Sequence, residues 1–256
     1  MTLRQRRRNL LISYGIMIII LSASIACAII AHANINFNKN YYSAFTQILC
    51  LAVFLIISGG ILILSFKKTM GPEIFFFCLY LFSLSFEGLR SFQIYLYING
   101  APILSQTLIS RIIYGGRAFA VFNLFAASLF CTGFEPRKMS GLLAIFFILA
   151  GLFGLNMLVL TNSINKYYIF PLGYAKEIYV TYLAVIAFCL IDYIFGFIKS
   201  SSTEFLILAL SSLVSAAGGI LIYFPPNNLL YICGLFLLCF GSIFYSSRIH
   251  SLYLWS

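Results

Sequence analysis

The sequence predicts an all-α, polytopic membrane protein of about eight transmembrane helices, and three observations lead to this fold class. Of its 256 residues, 62% are hydrophobic and only 9% are charged, whereas about 25% of the residues in a soluble domain are charged. Apolar runs of roughly 20 residues, the length that crosses a ~30 Å hydrocarbon core as a helix, recur along the chain. The alternating segments of roughly ten residues that are typical of a transmembrane β-barrel do not occur.

Short connections separate the apolar segments, and they are rich in Gly, Pro, Asn and Ser, which stop helices. None could hold a soluble domain, so residues 1–256 are expected to form a single integral membrane domain. The basic start and the apolar stretch after it mimic a signal peptide, but a stretch of about 20 residues exceeds the usual 7–15 and predicts an uncleaved first span. The predicted spans are about 9–31, 43–66, 74–98, 103–132, 140–161, 177–198, 204–224 and 228–247.

The distribution of Lys and Arg predicts that both termini are cytoplasmic. With that orientation, ten basic residues lie on the cytoplasmic side and only Lys39, Lys166 and Lys176 on the other. This bias follows the positive-inside rule and indicates a multi-pass protein of the plasma (inner) membrane. The net charge of +10 then indicates contact with the lipid bilayer and its anionic headgroups rather than with nucleic acid. The ten residues are Arg4, Arg6, Arg7, Arg8, Lys67, Lys68, Arg137, Lys138, Lys199 and Arg248.

Five ionisable residues fall inside the predicted spans: Glu87, Arg90, Arg111, Arg117 and Asp192. Each costs about 2.5–3.5 kcal/mol at mid-bilayer, so each is a candidate functional residue. At ~1.5 Å of rise per residue, Glu87 and Arg111 fall at one depth and Arg117 and Asp192 at a second. We therefore predict two structural ion pairs, Glu87 with Arg111 and Arg117 with Asp192.

Arg90 is the one intramembrane charge that these pairs leave over. It can pair with Glu87 along its own helix, extend to the interface on its long stem, or bind an anion through its forked guanidinium group. The third reading gives a hypothetical anion site of Arg90, Arg111 and Tyr114. Its ligand would be a carboxylate, a phosphate or a lipid headgroup.

Catalytic and cofactor signatures are missing from the sequence. The chain has two histidines, His32 and His250, which the predicted topology puts on opposite sides of the membrane. A zinc site or a histidine-based triad is therefore not expected. The seven cysteines show no C-x-x-C spacing, which argues against a redox motif. We expect no metal, no cofactor and no enzymatic activity.

Three functions fit a bundle with buried charges. The first is a ligand-sensing or partner-binding module, acting with a membrane protein partner or as a homo-oligomer. The second is a secondary transporter for a small anionic or amphiphilic substrate. It is favoured by a possible inverted repeat, GGILI at 59–63 and 218–222, and opposed by the lack of an obviously broken span. The third, an intramembrane lipid-modifying enzyme, lacks an acid–base pair. We favour the first.

The predicted orientation is testable by labelling single cysteines in a chain whose seven native cysteines are replaced. A membrane-impermeant maleimide is expected to label Lys176→Cys in intact cells, because that residue is predicted to lie outside. It should label Arg137→Cys only after permeabilisation. The opposite labelling pattern would contradict the orientation.

Overall fold

The computed structural model describes residues 1–33, 39–66, 71–162, 169–224 and 227–254 of the chain. It is all-α and 87% helical, and eight of its helical segments are long and apolar enough to cross a membrane. The predicted fold class is therefore confirmed at this level, while the side on which the termini lie stays a prediction. Lys67, Lys68 and Lys166, which contributed to the charge count, lie outside the described residues.

Nine α-helices and two short 3₁₀ segments make up the described part of the chain. The eight spans lie close to their predicted positions, except that the third comprises two helices joined by 3₁₀ structure. The elements in order are α1 Leu3–Ala33, α2 Lys39–Ser65, α3 Pro72–Ser83, a 3₁₀ segment Leu84–Leu89, α4 Arg90–Ile98, α5 Ile103–Cys131, a 3₁₀ turn Pro136–Lys138, α6 Met139–Asn156, α7 Ala175–Ser200, α8 Glu204–Tyr223 and α9 Asn228–Leu254.

The least hydrophobic spans lie at the centre of the bundle. The third span has a mean hydropathy of 1.3, the lowest of the eight, yet 89% of an 18-residue stretch within it is buried. The span formed by α6 has a mean hydropathy of 2.0 and is only 22% buried. Lipid solvates apolar side chains as well as protein does, so the polar residues decide which helices lie inside.

Helix α3 is the central helix, and all twelve of its residues are buried. It packs against α1, α2 and α5. On the other side, the Tyr80 hydroxyl donates to the Ser215 carbonyl of α8 over 2.7 Å, and the Phe77 ring stacks on Tyr245 of α9 with 4.0 Å between centroids. This central position fixes where the residues that follow α3 enter the core.

The third span is one continuous helical segment, Pro72–Ile98, but it changes from α to 3₁₀ geometry at Leu84–Leu89, a local irregularity that the sequence did not predict. The Ser83 hydroxyl donates to the Leu79 carbonyl one turn back, a contact that often bends helices. Close packing also holds the segment in place. A side chain on Gly88 would have its Cβ 2.9 Å from the Ser24 hydroxyl oxygen of α1, and one on Gly116 of α5 would lie 2.5 Å from the side chain of Phe86.

The two GGILI segments have different surroundings, and in both the first glycine permits close packing. A Cβ on Gly59 would lie 2.8 Å from the side chains of Phe82 and Tyr14. A Cβ on Gly218 would lie 2.6 Å from the Leu238 backbone nitrogen of α9. Close helix approach is the usual role of small residues in membrane bundles, and it accounts for both segments without an inverted repeat.

Candidate functional site

Three charged side chains meet in the core where α3 gives way to α4. Glu87 lies in the 3₁₀ segment, Arg90 is the first residue of α4, and Arg117 lies at the middle of α5. Their side chains are at most 3% exposed. Charges this far from solvent are stable only when they are paired and hydrogen-bonded. We call these three residues the charge cluster.

Glu87 is shared by the two arginines. Arg117 binds it with two prongs, from Nε to Oε1 at 2.6 Å and from Nη2 to Oε2 at 3.1 Å. Arg90 contacts the same Oε2 through its Nη2. Two guanidinium groups and one carboxylate leave the charge cluster with a net charge of +1.

Aromatic rings surround the Arg117 guanidinium. Its Cζ lies 4.9 Å from the ring centroid of Tyr114, 5.1 Å from that of Tyr223 and 5.0 Å from that of Phe224. A desolvated cation–π contact contributes about 2 kcal/mol. The Tyr114 hydroxyl also donates to the Phe170 carbonyl over 2.9 Å, which ties the loop between α6 and α7 to the cluster. Arg117 is therefore fully engaged.

Arg90 links the charge cluster to the end of α8. Its Nη2 donates to the Ile222 carbonyl over 3.1 Å, and Ile222 is the penultimate residue of α8. The last carbonyls of a helix have no partner within it, and the C-terminal end of the helix dipole attracts a cation. The Nε of Arg90 is buried and has no hydrogen-bond partner in the described part of the chain.

Further polar atoms without a partner lie in the half of the core towards the α4–α5 connection. Most buried polar atoms in proteins are hydrogen-bonded, so a group of exceptions calls for an explanation. Gln93, one turn beyond Arg90, is fully buried with both amide atoms unsatisfied. Within the described residues, the others in this half are the Nε of Arg111, the Oε1 of Gln47 and the hydroxyl oxygens of Ser91, Ser110, Tyr182 and Tyr223.

The predicted pairing of Glu87 with Arg111 was wrong, and the i,i+3 pairing with Arg90 is present. With a symmetric connection between Ile98 and Ile103, Glu87, eleven residues before Ile98, lies at the same depth as Tyr114, eleven residues after Ile103. This depth is midway between those of Arg111 and Arg117. Depth therefore does not choose between the two arginines. The side of α5 on which each arginine lies does decide, because the six residues from Arg111 to Arg117 turn their side chains about 120° apart around the helix. Arg117 belongs to the buried stripe Ile113, Arg117, Ala120, Leu124 and Ala127, whereas Arg111 is only partly buried.

The predicted pairing of Arg117 with Asp192 was also wrong. The Asp192 carboxylate accepts a 2.8 Å hydrogen bond from the Ser128 hydroxyl. Ser128 lies 25 residues into α5 and Asp192 lies 17 residues into α7. At ~1.5 Å per residue, this contact means that α7 begins about 12 Å deeper than α5. The prediction had assumed that both helices begin at the same level.

Of the three residues of the predicted anion site, Arg90 and Tyr114 both adjoin the charge cluster, whereas Arg111 lies apart from it. Arg90 contacts Glu87 and α8, and Tyr114 lies beside Arg117. Arg111 lines a crevice between α5 and α6 and makes no ion pair within the described ranges. Tyr223, Phe224 and Gln93 were not predicted as site residues. The aromatic pair directly before Pro225 and Pro226 was the available signal for the first two.

The described residues hold no group of three or more His, Cys, Asp or Glu side chains that could bind a metal ion. All seven cysteines are free.

The chain matches no known family model, and no curated protein is significantly similar to it in sequence.

Replacing Glu87 tests the charge cluster, and Asp192 offers a matched control. Glu87→Gln leaves two buried guanidinium groups without a counter-charge, so we expect it to lower the free energy of unfolding by about 3–5 kcal/mol. Asp192→Asn loses no ion pair and keeps an amide oxygen that accepts from Ser128, so its effect should stay below about 1 kcal/mol. Unfolding of both variants in the same detergent measures this, and equal losses would contradict the described pairing.

Proposed function

We propose that this protein is a multi-pass membrane module that senses a small anion, a carboxylate or a phosphate, in the core beside Arg90. The single observation that carries the proposal is a buried charge cluster of net charge +1 next to unsatisfied hydrogen-bonding groups. We also propose that it has no enzymatic activity and resides in the plasma membrane with both termini cytoplasmic.

Charge balance supports an anion as the ligand. A guanidinium group binds carboxylates and phosphates through parallel hydrogen bonds. Arg117 is committed to Glu87 and the rings, whereas the buried Nε of Arg90 has no partner among the described residues. The amide of Gln93, three residues on, can supply a further donor. Each buried polar group without a partner costs about 1–3 kcal/mol, and an anion with two or three oxygens would recover part of that cost.

The surrounding elements support sensing, because they can transmit the occupancy of the site. Arg90 is held by the 3₁₀ segment on one side and by the end of α8 on the other. A 3₁₀ stretch within a helix often marks a hinge. An anion that draws Arg90 away from Ile222 would free the end of α8 and alter the third span. We propose that a membrane protein partner reads this change.

Transport is the second candidate, and the 3₁₀ irregularity in the middle of the third span favours it. Transporters often bind substrates where a discontinuous helix crosses the middle of the membrane. The charge cluster, however, is at most 3% exposed and closed by rings on one side, which favours a binding module over an open path. Uptake of the same anion into proteoliposomes would decide for transport.

The proposal predicts anion-dependent stability. Purified protein in an uncharged detergent is heated with inorganic phosphate, sulfate or succinate at constant ionic strength, and the unfolding temperature Tm is measured. We expect at least one of these anions to raise Tm by several degrees, because it binds the folded state alone. Arg248→Gln, which removes an arginine paired with Glu204 at the surface, should respond like wild type.

Two variants decide whether the effect comes from Arg90. Arg90→Gln should abolish the response. Gln93→Leu removes two unsatisfied atoms without changing the charge, so it should raise Tm in the absence of anion and weaken the response. The proposal fails if none of the three anions stabilises the protein, or if Gln93→Leu responds fully.

A further inference from the structure

A crevice runs along the flank of the bundle, apart from the charge cluster. Its first part, between α5 and α6, has a volume of about 280 Å³ and is lined by Arg111 and otherwise by apolar residues and glycines. A second part, of about 450 Å³, continues between α1 and α6. The two parts adjoin at Phe86, Phe119 and Phe147, which line both of them, and we call the two together the groove.

The groove has the length and lining of a site for an acyl chain. Along α6 its lining residues extend from Leu155 to Ser140, which is about 22 Å at 1.5 Å per residue and exceeds the ~15 Å thickness of one leaflet. Near the Arg111 end, Gly115 and Gly154 mark the close contact between α5 and α6, whereas Gly151 faces open space. Gly151 lines the groove, and a Cβ added there would meet no atom within 4 Å.

Arg111 lies at one end of the groove. Its buried Nε has no hydrogen-bond partner, and no acid in the described residues pairs with it. Glu87, the acid that lies nearest to Arg111 in depth when residues are counted along the helices, is already shared by two arginines.

The depth of Arg111 suits a lipid headgroup. The 29 residues of α5 span about 43 Å, so the helix extends roughly 6 Å beyond a 30 Å core at each end. Arg111 lies eight residues from the start of α5, about 6 Å below the boundary. Its long side chain can place the guanidinium group at the level of lipid phosphates.

We propose that this groove binds one anionic phospholipid, with its phosphate on Arg111 and one acyl chain along Gly151 and the three shared phenylalanines. The charge of Arg111 selects an anionic over a zwitterionic headgroup, and the apolar groove selects a membrane lipid over a free phosphate. This site is separate from the anion site at Arg90, and neither proposal depends on the other.

Native mass spectrometry of the full chain in an uncharged detergent tests the proposal. Dioleoylphosphatidylglycerol and dioleoylphosphatidylcholine are added in equal amounts, and the lipid retained on the protein is weighed. We expect one tightly retained phosphatidylglycerol per chain, at least fivefold more than phosphatidylcholine. Arg111→Gln should remove this preference.

Two glycine variants separate the groove from the rest of the lipid-facing surface. Gly151→Leu fills the groove without a backbone clash and should lower phosphatidylglycerol retention at least fivefold. Gly141→Leu adds the same side chain to the same helix at a glycine that also has open space and does not line the groove, so it should retain lipid like wild type. The proposal is overturned if both lipids are retained equally, if Gly151→Leu keeps the bound lipid, or if Gly141→Leu loses it to the same extent.

Discussion

The pairing of one buried carboxylate with two guanidinium groups is the constraint on which the rest of the bundle depends. Glu87 can lie at most 3% exposed only because Arg90 and Arg117 both contact it. Holding it there requires the 3₁₀ segment, the close approach of Gly116 to Phe86, and the rings around Arg117. Breaking a buried ion pair costs about 3–5 kcal/mol. The register of the third span against α5 is therefore fixed by charge together with the close packing of Gly116 against Phe86.

The charge cluster also explains the order of the spans from the centre outwards. The third span and α5 carry all three charges and have the lowest mean hydropathies, 1.3 and 1.4. Since lipid cannot solvate these groups, the two spans are surrounded by more apolar helices. The hydrogen bond from Arg90 to the end of α8 extends the cluster across the core. One polar feature thus connects the 3₁₀ segment of the third span, the central pair of spans and the α8 terminus.

The sequence was sufficient to predict the all-α class, the eight spans and the intramembrane residues that carry charge. It failed on the pairing of those residues. Depth along a helix is readable from residue count, but Glu87 lies midway between the levels of Arg111 and Arg117, and α5 and α7 do not begin at the same level. The stripe of Ile113, Arg117 and Ala120 was visible and would have favoured Arg117. The 3₁₀ segment was not predictable, because it arises from the packing of Gly88 and Phe86 against neighbouring helices.

A double-mutant cycle between Glu87 and Arg117, with a second cycle between Glu87 and Arg111, is the most direct test of this account. Each uses glutamine replacements, singly and together, and the free energy of unfolding in one detergent. We predict a coupling of about 2 kcal/mol or more between Glu87 and Arg117, and additivity within about 0.5 kcal/mol between Glu87 and Arg111. Additivity in the first cycle, or strong coupling in the second, would contradict the described register.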